Sequence, residues 1–501
     1  MSTAASPVEL RSHVGGAWVE GAGGTLLDHE PARPAELVAS GRLLDAAEVD
    51  AAVVAAAAAA SAWRATSIHA RAAVLDRTAD VLTGRLEALA VELTREQGKT
   101  LAESRAEVGR AIRLLRYNAA LADASDGDGY ASPRTGERIF TVRVPLGPTA
   151  IVTPWNVPIA IPVWKIAPAL LYGNTVVWKP ARLVPLLALR LMEAFAEAGL
   201  PAGVCNLVFA NAAAGDALLA HPEIRACSFT GSTDVGRHLI ARGAEHGVRV
   251  QAEMGGKNAA IVLADADFDH AVEQVASGAM LSTGQRCTAT SRVLVERPLF
   301  ERFAEALAAR SARFRVGDPL DPSTEIGPLV SEERRRAVLD AYATARAQGA
   351  TVLVGGGQLD VDGDGGHYVE PTVVVDVKPD DTVFVDEIFG PLAAVVPFDD
   401  LEEAFALANR GRYGLSGAIF TRDLGRAMGA VDAFDVGVLH VNSETCGADP
   451  HVPFGGVKDS GSFMREMGTA ARDFYTESRT VYLRVPDAAP SSFAIASNRG
   501  G

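Results

Sequence analysis

The stretch Ala226-Cys-Ser-Phe-Thr-Gly-Ser-Thr-Asp-Val-Gly236 reads as an apolar strand ending at Phe229, a glycine turn, and the opening of a helix. A helix that starts this way leaves its first backbone N–H groups without partners, and such an end holds phosphate. Working outward, Ile151 to Thr153, Thr175 to Trp178 and Cys205 to Phe209 are further short β-rich runs. A helix from about Pro185 separates two of them and stops at Gly199, with Pro201 beyond. Strands alternating with helices describe a doubly wound α/β unit that binds a nucleotide. No Gly-x-Gly-x-x-Gly follows the first strand, so the phosphate contact is expected from the turn carrying Gly231, Ser232 and Gly236. Lys179 closes the strand Val176-Val-Trp178, and strand ends of open sheets face ligands.

The 501 residues suffice for two or three domains. A net charge of −15 is the wrong sign for tracking phosphates along a nucleic acid. Cys205, Cys227, Cys287 and Cys446 form no CxxC pair and no His/Cys ligand spacing, so neither a disulfide frame nor a metal site is expected. Met1 to Gly16 lacks a basic start followed by an apolar core, and a cytoplasmic location is expected. The apolar run Ala51 to Trp63 spans 13 residues, too few to cross a bilayer. Ile151 to Trp178 is long enough but holds Lys165 and four prolines; an irregular buried crossing is expected, with no membrane role. Asp45-Ala-Ala-Glu48 opens an alanine-rich helix as a capping-box variant. Leu75, Ala79, Leu82, Leu86, Leu89 and Leu93 predict a single second helix over Ala70 to Glu96. The chain thus reads as helical first, then α/β twice.

The chemistry lies in two glycine-flanked segments. Ser282-Thr-Gly-Gln-Arg-Cys-Thr288 presents Cys287, a nucleophile as its thiolate, and Gln251-Ala-Glu-Met-Gly-Gly-Lys257 presents Glu253, a base able to take a proton from water. Cys205 and Cys227 lie in apolar strand runs and read as packing. Cys446 lies in Asn442-Ser-Glu-Thr-Cys-Gly-Ala-Asp-Pro-His451, ahead of Pro453-Phe-Gly-Gly456.

Taken in order, Pro154-Trp-Asn156, Gly173-Asn-Thr-Val-Val-Trp-Lys-Pro180, Phe229-Thr-Gly-Ser232, Glu253-Met-Gly-Gly256, Gly284-Gln-Arg-Cys287, Glu387-Ile-Phe-Gly-Pro391 and Pro453-Phe-Gly-Gly456 resemble the aldehyde dehydrogenase superfamily over about residues 10 to 485. The resemblance implies an α/β fold with a Rossmann-type cofactor domain, an α/β catalytic domain and a β oligomerisation arm. It implies Cys287 as nucleophile, Asn156 and the Cys287 N–H as the oxyanion hole, and Glu253 as the base that releases the acid; Lys165 is counted with these catalytic residues. Glu253 argues against the acyl-CoA-forming branch. Trp155, Lys179, Arg182, Gly231, Ser232, Gly236, Glu387 and Phe389 are expected around NAD or NADP. Trp164, Arg286, Thr288, Cys446 and His451 are expected around the aldehyde, with Arg292 a further candidate cation.

The chain also departs from the family pattern. The family often has Glu after Lys-Pro-Ala, where this chain has Arg182; a guanidinium there can pair with a 2′-phosphate, leaving both cofactors open. Phe209-Ala-Asn-Ala-Ala lacks a glycine expected near the adenine. The segments Pro162 to Asn174 and Ser282 to Arg292 look most like α-ketoglutaric semialdehyde (2,5-dioxopentanoate) dehydrogenases, implying a small carboxylated aldehyde. Another semialdehyde, a specialised biosynthetic aldehyde, a hydrophobic one, or a non-catalytic protein of this fold stand as alternatives. The expected division is 1–124 and 146–254 for NAD(P), 255–461 for catalysis, 125–145 and 462–486 for arms that build a homodimer or homotetramer, and 487–501 as a tail.

Overall fold

A computed structural model describes residues 6–124 and 126–484. The expected tail lies outside these residues. Two seven-stranded sheets dominate. The first runs, by position, Arg249–Glu253, Ala226–Thr230, Thr149–Val152, Val176–Lys179, Cys205–Leu207, then the hairpin Ser12–Val14 and Ala17–Val19. Its first five strands are parallel, and the hairpin joins antiparallel. The chain fills one side of Thr149–Val152 and then returns to the other through Ala226–Thr230. The crevice beyond these two strand ends is therefore a topological switch point. Trp155, Asn156, Gly231 and Ser232 follow those ends directly.

The second sheet orders Thr351–Val354, Thr372–Val375, Leu392–Phe398, Thr290–Glu296, Asn258–Val262, Ser416–Phe420 and Val438–Val441. All are parallel except Thr351–Val354. Strands Arg249–Glu253 and Asn258–Val262 are nearly continuous, so the outgoing end of one sheet meets the incoming end of the other. A third sheet pairs Glu137–Pro145 antiparallel with Thr476–Arg484 through nine residue pairs, with Gly129–Tyr130 beyond.

Four expectations need correction. The N-terminal region contains strands, including Val8–Leu10, Thr25–Glu30 and Arg33–Arg42 in a separate sheet. In Thr25–Glu30 the inward positions are Leu26, Asp28 and Glu30 while Leu27 faces out, so the alternation that marks a strand is masked by buried carboxylates. The single helix over Ala70 to Glu96 is two, Ile68–Gly84 and Leu86–Gln97, broken at Arg85. Gly84 is a weak helix former, and the leucine stripe continues across the break. The crossing Ile151 to Trp178 is irregular only between its elements, since it begins and ends in the strands Thr149–Val152 and Val176–Lys179; Ala160–Leu171 is a helix buried along its whole length. Pro162 sits in its first turn, where no N–H bond is lost. The apolar run Ala51 to Trp63 belongs to a 20-residue helix, Ala46–Ala65, long and apolar enough to cross a membrane. That helix has the expected Asp45/Glu48 capping box and buries Val49, Ala52, Val53, Ala56 and Trp63.

Candidate active site

Cys287 follows three successive residues in the left-handed region: Ser282 (φ 54°), Thr283 (φ 56°) and Gly284 (φ 64°). Two of them carry side chains, so the turn needs outside support. Glu103 accepts from the Ser282 N–H and Oγ at 2.7 and 2.8 Å, and Thr283 Oγ1 donates to the Gly327 carbonyl at 2.9 Å. A Cβ on Gly284 would meet the Gly390 carbonyl oxygen at 2.2 Å. Beyond the turn, Asn258 Nδ2 donates to the Cys287 and Ala289 carbonyls at 2.9 and 2.8 Å. Asn156 Nδ2 donates to the neighbouring Gln285 carbonyl at 3.1 Å. The nucleophile's backbone is thus fixed from three directions.

A cavity of about 280 Å³ opens at the switch point and is lined by Cys287, Asn156, Trp155, Ser232, Glu387 and Phe389, among others. Burial pushes the Cys287 thiol well up, and the carboxylates of Glu387 and Glu253 add to this. Burial thus favours the neutral thiol, and forming the thiolate takes a nearby positive charge or a proton acceptor.

Glu253 ends its strand with one carboxylate oxygen 3.3 Å from the Gly456 N–H and the other buried without a partner. Burial first, then the charge of Glu466, raises it well above the usual carboxylate range. A Cβ at Gly455 would come within 2.5 Å of that unpartnered oxygen. Lys165, expected with the catalytic residues, lines neither this cavity nor the one described below; it is buried in an ion pair with Glu466 and donates to Ser228 Oγ at 3.0 Å. It therefore stands behind Glu253, on the strand side.

Glu387 accepts the Gly256 N–H at 2.9 Å, and burial pushes its carboxyl up to about 7. A Cβ on Gly255 would fall 2.1 Å from its other oxygen, so the glycine pair lets this carboxylate reach the cavity. Phe389 holds φ 59°, costly for a bulky residue, and packs edge-on to Trp155 with ring centres 5.3 Å apart. Ser232 caps the helix Thr233–His246 without a side-chain bond to it, leaving the hydroxyl and nearby N–H groups available to an anion. These groups fit a dinucleotide cofactor.

Other expected residues are placed differently. A Cβ on Gly236 would strike Met254 Sδ at 2.4 Å; that glycine serves helix packing and not the cavity wall. Lys179 and Arg182 lie at the same sheet edge but outside this cavity, and burial with the Arg182 charge lowers the Lys179 amine to about 8. Arg286 turns away, donating to the Ser277 and Gly278 carbonyls at 3.0 and 3.3 Å. Arg292 is spent on the carbonyls of Lys257, Leu407, Ala408 and Arg410. His451 is exposed and lines neither cavity. Thr288 is buried, and its carbonyl accepts from Thr445 Oγ1 at 2.6 Å and Cys446 Sγ at 3.3 Å. Trp164 is buried with ring centres 6.0 Å from Phe454.

Sequence reasoning missed Arg334, which lines the Cys287 cavity, and the whole helix Leu101–Ala120. Its signal was present: Thr100-Leu-Ala-Glu103 is a full capping box. One face of that helix carries Glu103 to Ser282, Glu107 to the N–H groups of Ile159 and Ala160 at 2.9 and 3.3 Å, and Arg110 beyond.

Known proteins resemble this chain over most of its length. The aldehyde dehydrogenase family model matches residues 18–481. An α-ketoglutaric semialdehyde dehydrogenase of Bacillus subtilis (strain 168) is 41% identical over 474 residues, covering 94% of this chain and 97% of that protein. The crystal structure of a betaine aldehyde dehydrogenase from Staphylococcus aureus in complex with NAD+ superposes with a TM-score of 0.91 at 33% identity, covering 95% and 94%. An E. coli NADP-dependent enzyme superposes with a TM-score of 0.91 at 34% identity, covering 95% and 98%.

Proposed function

This chain belongs to the aldehyde dehydrogenase family, and from that premise we propose that it oxidises a small carboxylated semialdehyde of the α-ketoglutaric type to the acid through a thioester on Cys287. It is an enzyme that oxidises aldehydes with NAD or NADP. The observation that carries the residue assignment is a single cavity joining Cys287, Asn156, Glu387 and Phe389, with Glu253 buried beside it.

Cys287 loses its thiol proton to water and, as the thiolate, attacks the aldehyde carbon, and the new oxyanion takes hydrogen bonds from the Asn156 amide and the Cys287 N–H. When bound, the nicotinamide supplies a hydride acceptor, and hydride loss leaves a thioester on Cys287. Glu387 would hold the ribose, the Phe389 and Trp155 rings would wall the nicotinamide, and Ser232 would meet the pyrophosphate. Glu253 takes a proton from water, which hydrolyses the thioester. Glu253 gives that proton up to bulk water once the acid has left, and the opposed charges of Glu466 and Lys165 act on it from behind. Asn156→Ala is expected to lower kcat about 10²- to 10³-fold, the usual effect of losing one oxyanion donor. Steady-state rates check this, and a loss under tenfold contradicts the assignment.

Lys179 and Arg182, two cations without an ion-pair partner among the described residues, support a reading in which this edge receives the adenosine ribose and tolerates a 2′-phosphate. The long exposed edge Thr476–Arg484 supports pairing with another copy, as a cytoplasmic dimer or tetramer. Initial rates with α-ketoglutaric semialdehyde, succinic semialdehyde, benzaldehyde and a short aliphatic aldehyde, each with NAD and NADP, test the substrate reading. A clear kcat/KM preference for the two acids is expected; flat rates across the panel overturn it.

A further inference from the structure

We infer that Arg110, His440 and the Trp164 indole form a carboxylate-reading site at the aldehyde end of the pocket, selecting substrates whose far end is an acid. The inference rests on the substrate reading above and names the residues that would enforce it.

A second cavity, of about 350 Å³, is lined by Arg110, His440, Val438, Asp449, Val452 and Phe454, among others. Trp164 touches two of these: its ring is 6.0 Å from Phe454 and 5.7 Å from the Arg110 guanidinium carbon. Arg110, on the wall of this cavity, lies within electrostatic reach of Cys287, which puts the cavity on the nucleophile's side of the site.

Three buried nitrogens at this place find no partner among the described residues: Arg110 Nε, His440 Nε2 and Trp164 Nε1. The first and third can only donate, and His440 donates in the tautomer with hydrogen on Nε2. Buried donors are normally paired, so unpaired ones gathered around one cavity point to a ligand that supplies acceptors. Arg110 has one side-chain hydrogen bond among the described residues, from Nη2 to the Ala448 carbonyl. No carboxylate lies within ion-pairing distance of it among those residues. Glu107, one turn earlier on the same helix, is already taken by Lys99 and by the N–H groups of Ile159 and Ala160. Asp449, on the cavity wall, Arg113 and Cys287 are the other groups whose charge reaches Arg110; the first two belong to exposed residues and are screened by water. Burial lowers the His440 pKa, with Glu444 the charge that opposes this. What remains is a half-buried guanidinium whose planar fork is mostly unused, the arrangement that binds a carboxylate through two parallel bonds.

The test compares succinic semialdehyde with butanal, an uncharged aldehyde of equal carbon count, by following reduced cofactor. Arg110→Met is expected to lower the acid-to-neutral ratio of kcat/KM about 10- to 100-fold, mainly through KM, as expected for losing a hydrogen bond to a charged group. Arg110→Lys keeps the charge without the fork, and its ratio should fall between the two. If Arg110→Met proves insoluble, Arg110→Lys alone decides: an unchanged ratio overturns the site. Equal losses on both aldehydes identify a structural role and overturn it as well. A wild-type enzyme without acid preference sinks the substrate reading and this site together. A wild-type preference that survives in Arg110→Met overturns this site only.

Discussion

Cys287→Ala is expected to lower aldehyde oxidation by at least about 10⁴-fold, because no other group in the cavity can form the covalent intermediate. Cys205 and Cys227 are buried in strands of the first sheet, and burial pushes each thiol up to about 12. The Cys446 thiol is engaged with the Thr288 carbonyl and is also raised by burial. None can substitute. The fold should tolerate the change, since the turn before Cys287 is held by Glu103, Gln285 and Asn258 and not by the thiol. Cofactor titration by fluorescence should therefore match wild type while cofactor reduction disappears. Residual turnover above a hundredth of the wild-type rate would refute a cysteine mechanism.

Glu253→Gln carries the second largest effect and a different signature. A positioned base contributes typically about 10²- to 10⁴-fold, and here it acts only after the hydride has left. Rapid mixing should show one enzyme equivalent of reduced cofactor at near wild-type speed, followed by a steady state slowed by that factor. The pH profile has a definite sign. The raised Glu253 carboxyl keeps its proton to higher pH than an ordinary carboxylate, so steady-state turnover falls as pH drops through its range. Glutamine has no proton to gain there, and the variant should lose that acidic limb. A burst abolished together with the steady state would instead make Glu253 the base for Cys287.

Much of this site was legible because its chemistry is written in short glycine-bearing segments. Glu253-Met-Gly-Gly256 needs glycines so that Glu387 and the Cys287 carbonyl can approach the backbone, and the residue pattern records that need. The strands through Ala226–Thr230 and Val176–Lys179 were equally plain, being continuously apolar and bounded by turns. Long-range commitments were not. Nothing near Arg286 reveals that its guanidinium is turned to the Ser277 and Gly278 carbonyls, or near Arg292 that four carbonyls already hold it. Lys165 looked like a cation in an apolar run because its partner, Glu466, lies about three hundred residues away. Arg110 was invisible for the reverse reason: an arginine on an amphipathic helix ordinarily faces water, and only the packing of Trp164 and Phe454 withdraws it.

Only the four residues Met254 to Lys257 separate the strand carrying Glu253 from the first strand of the second sheet, and Asn258, which opens that strand, grips the Cys287 carbonyl. The linker is too short to absorb slack. Base and nucleophile are thus spaced by the seating of one sheet against the other, as the jaws of a caliper are set by its beam. A slight rotation between the sheets, with every strand intact, would open that gap, making enzymatic rate a finer gauge of their docking than any measure of secondary structure.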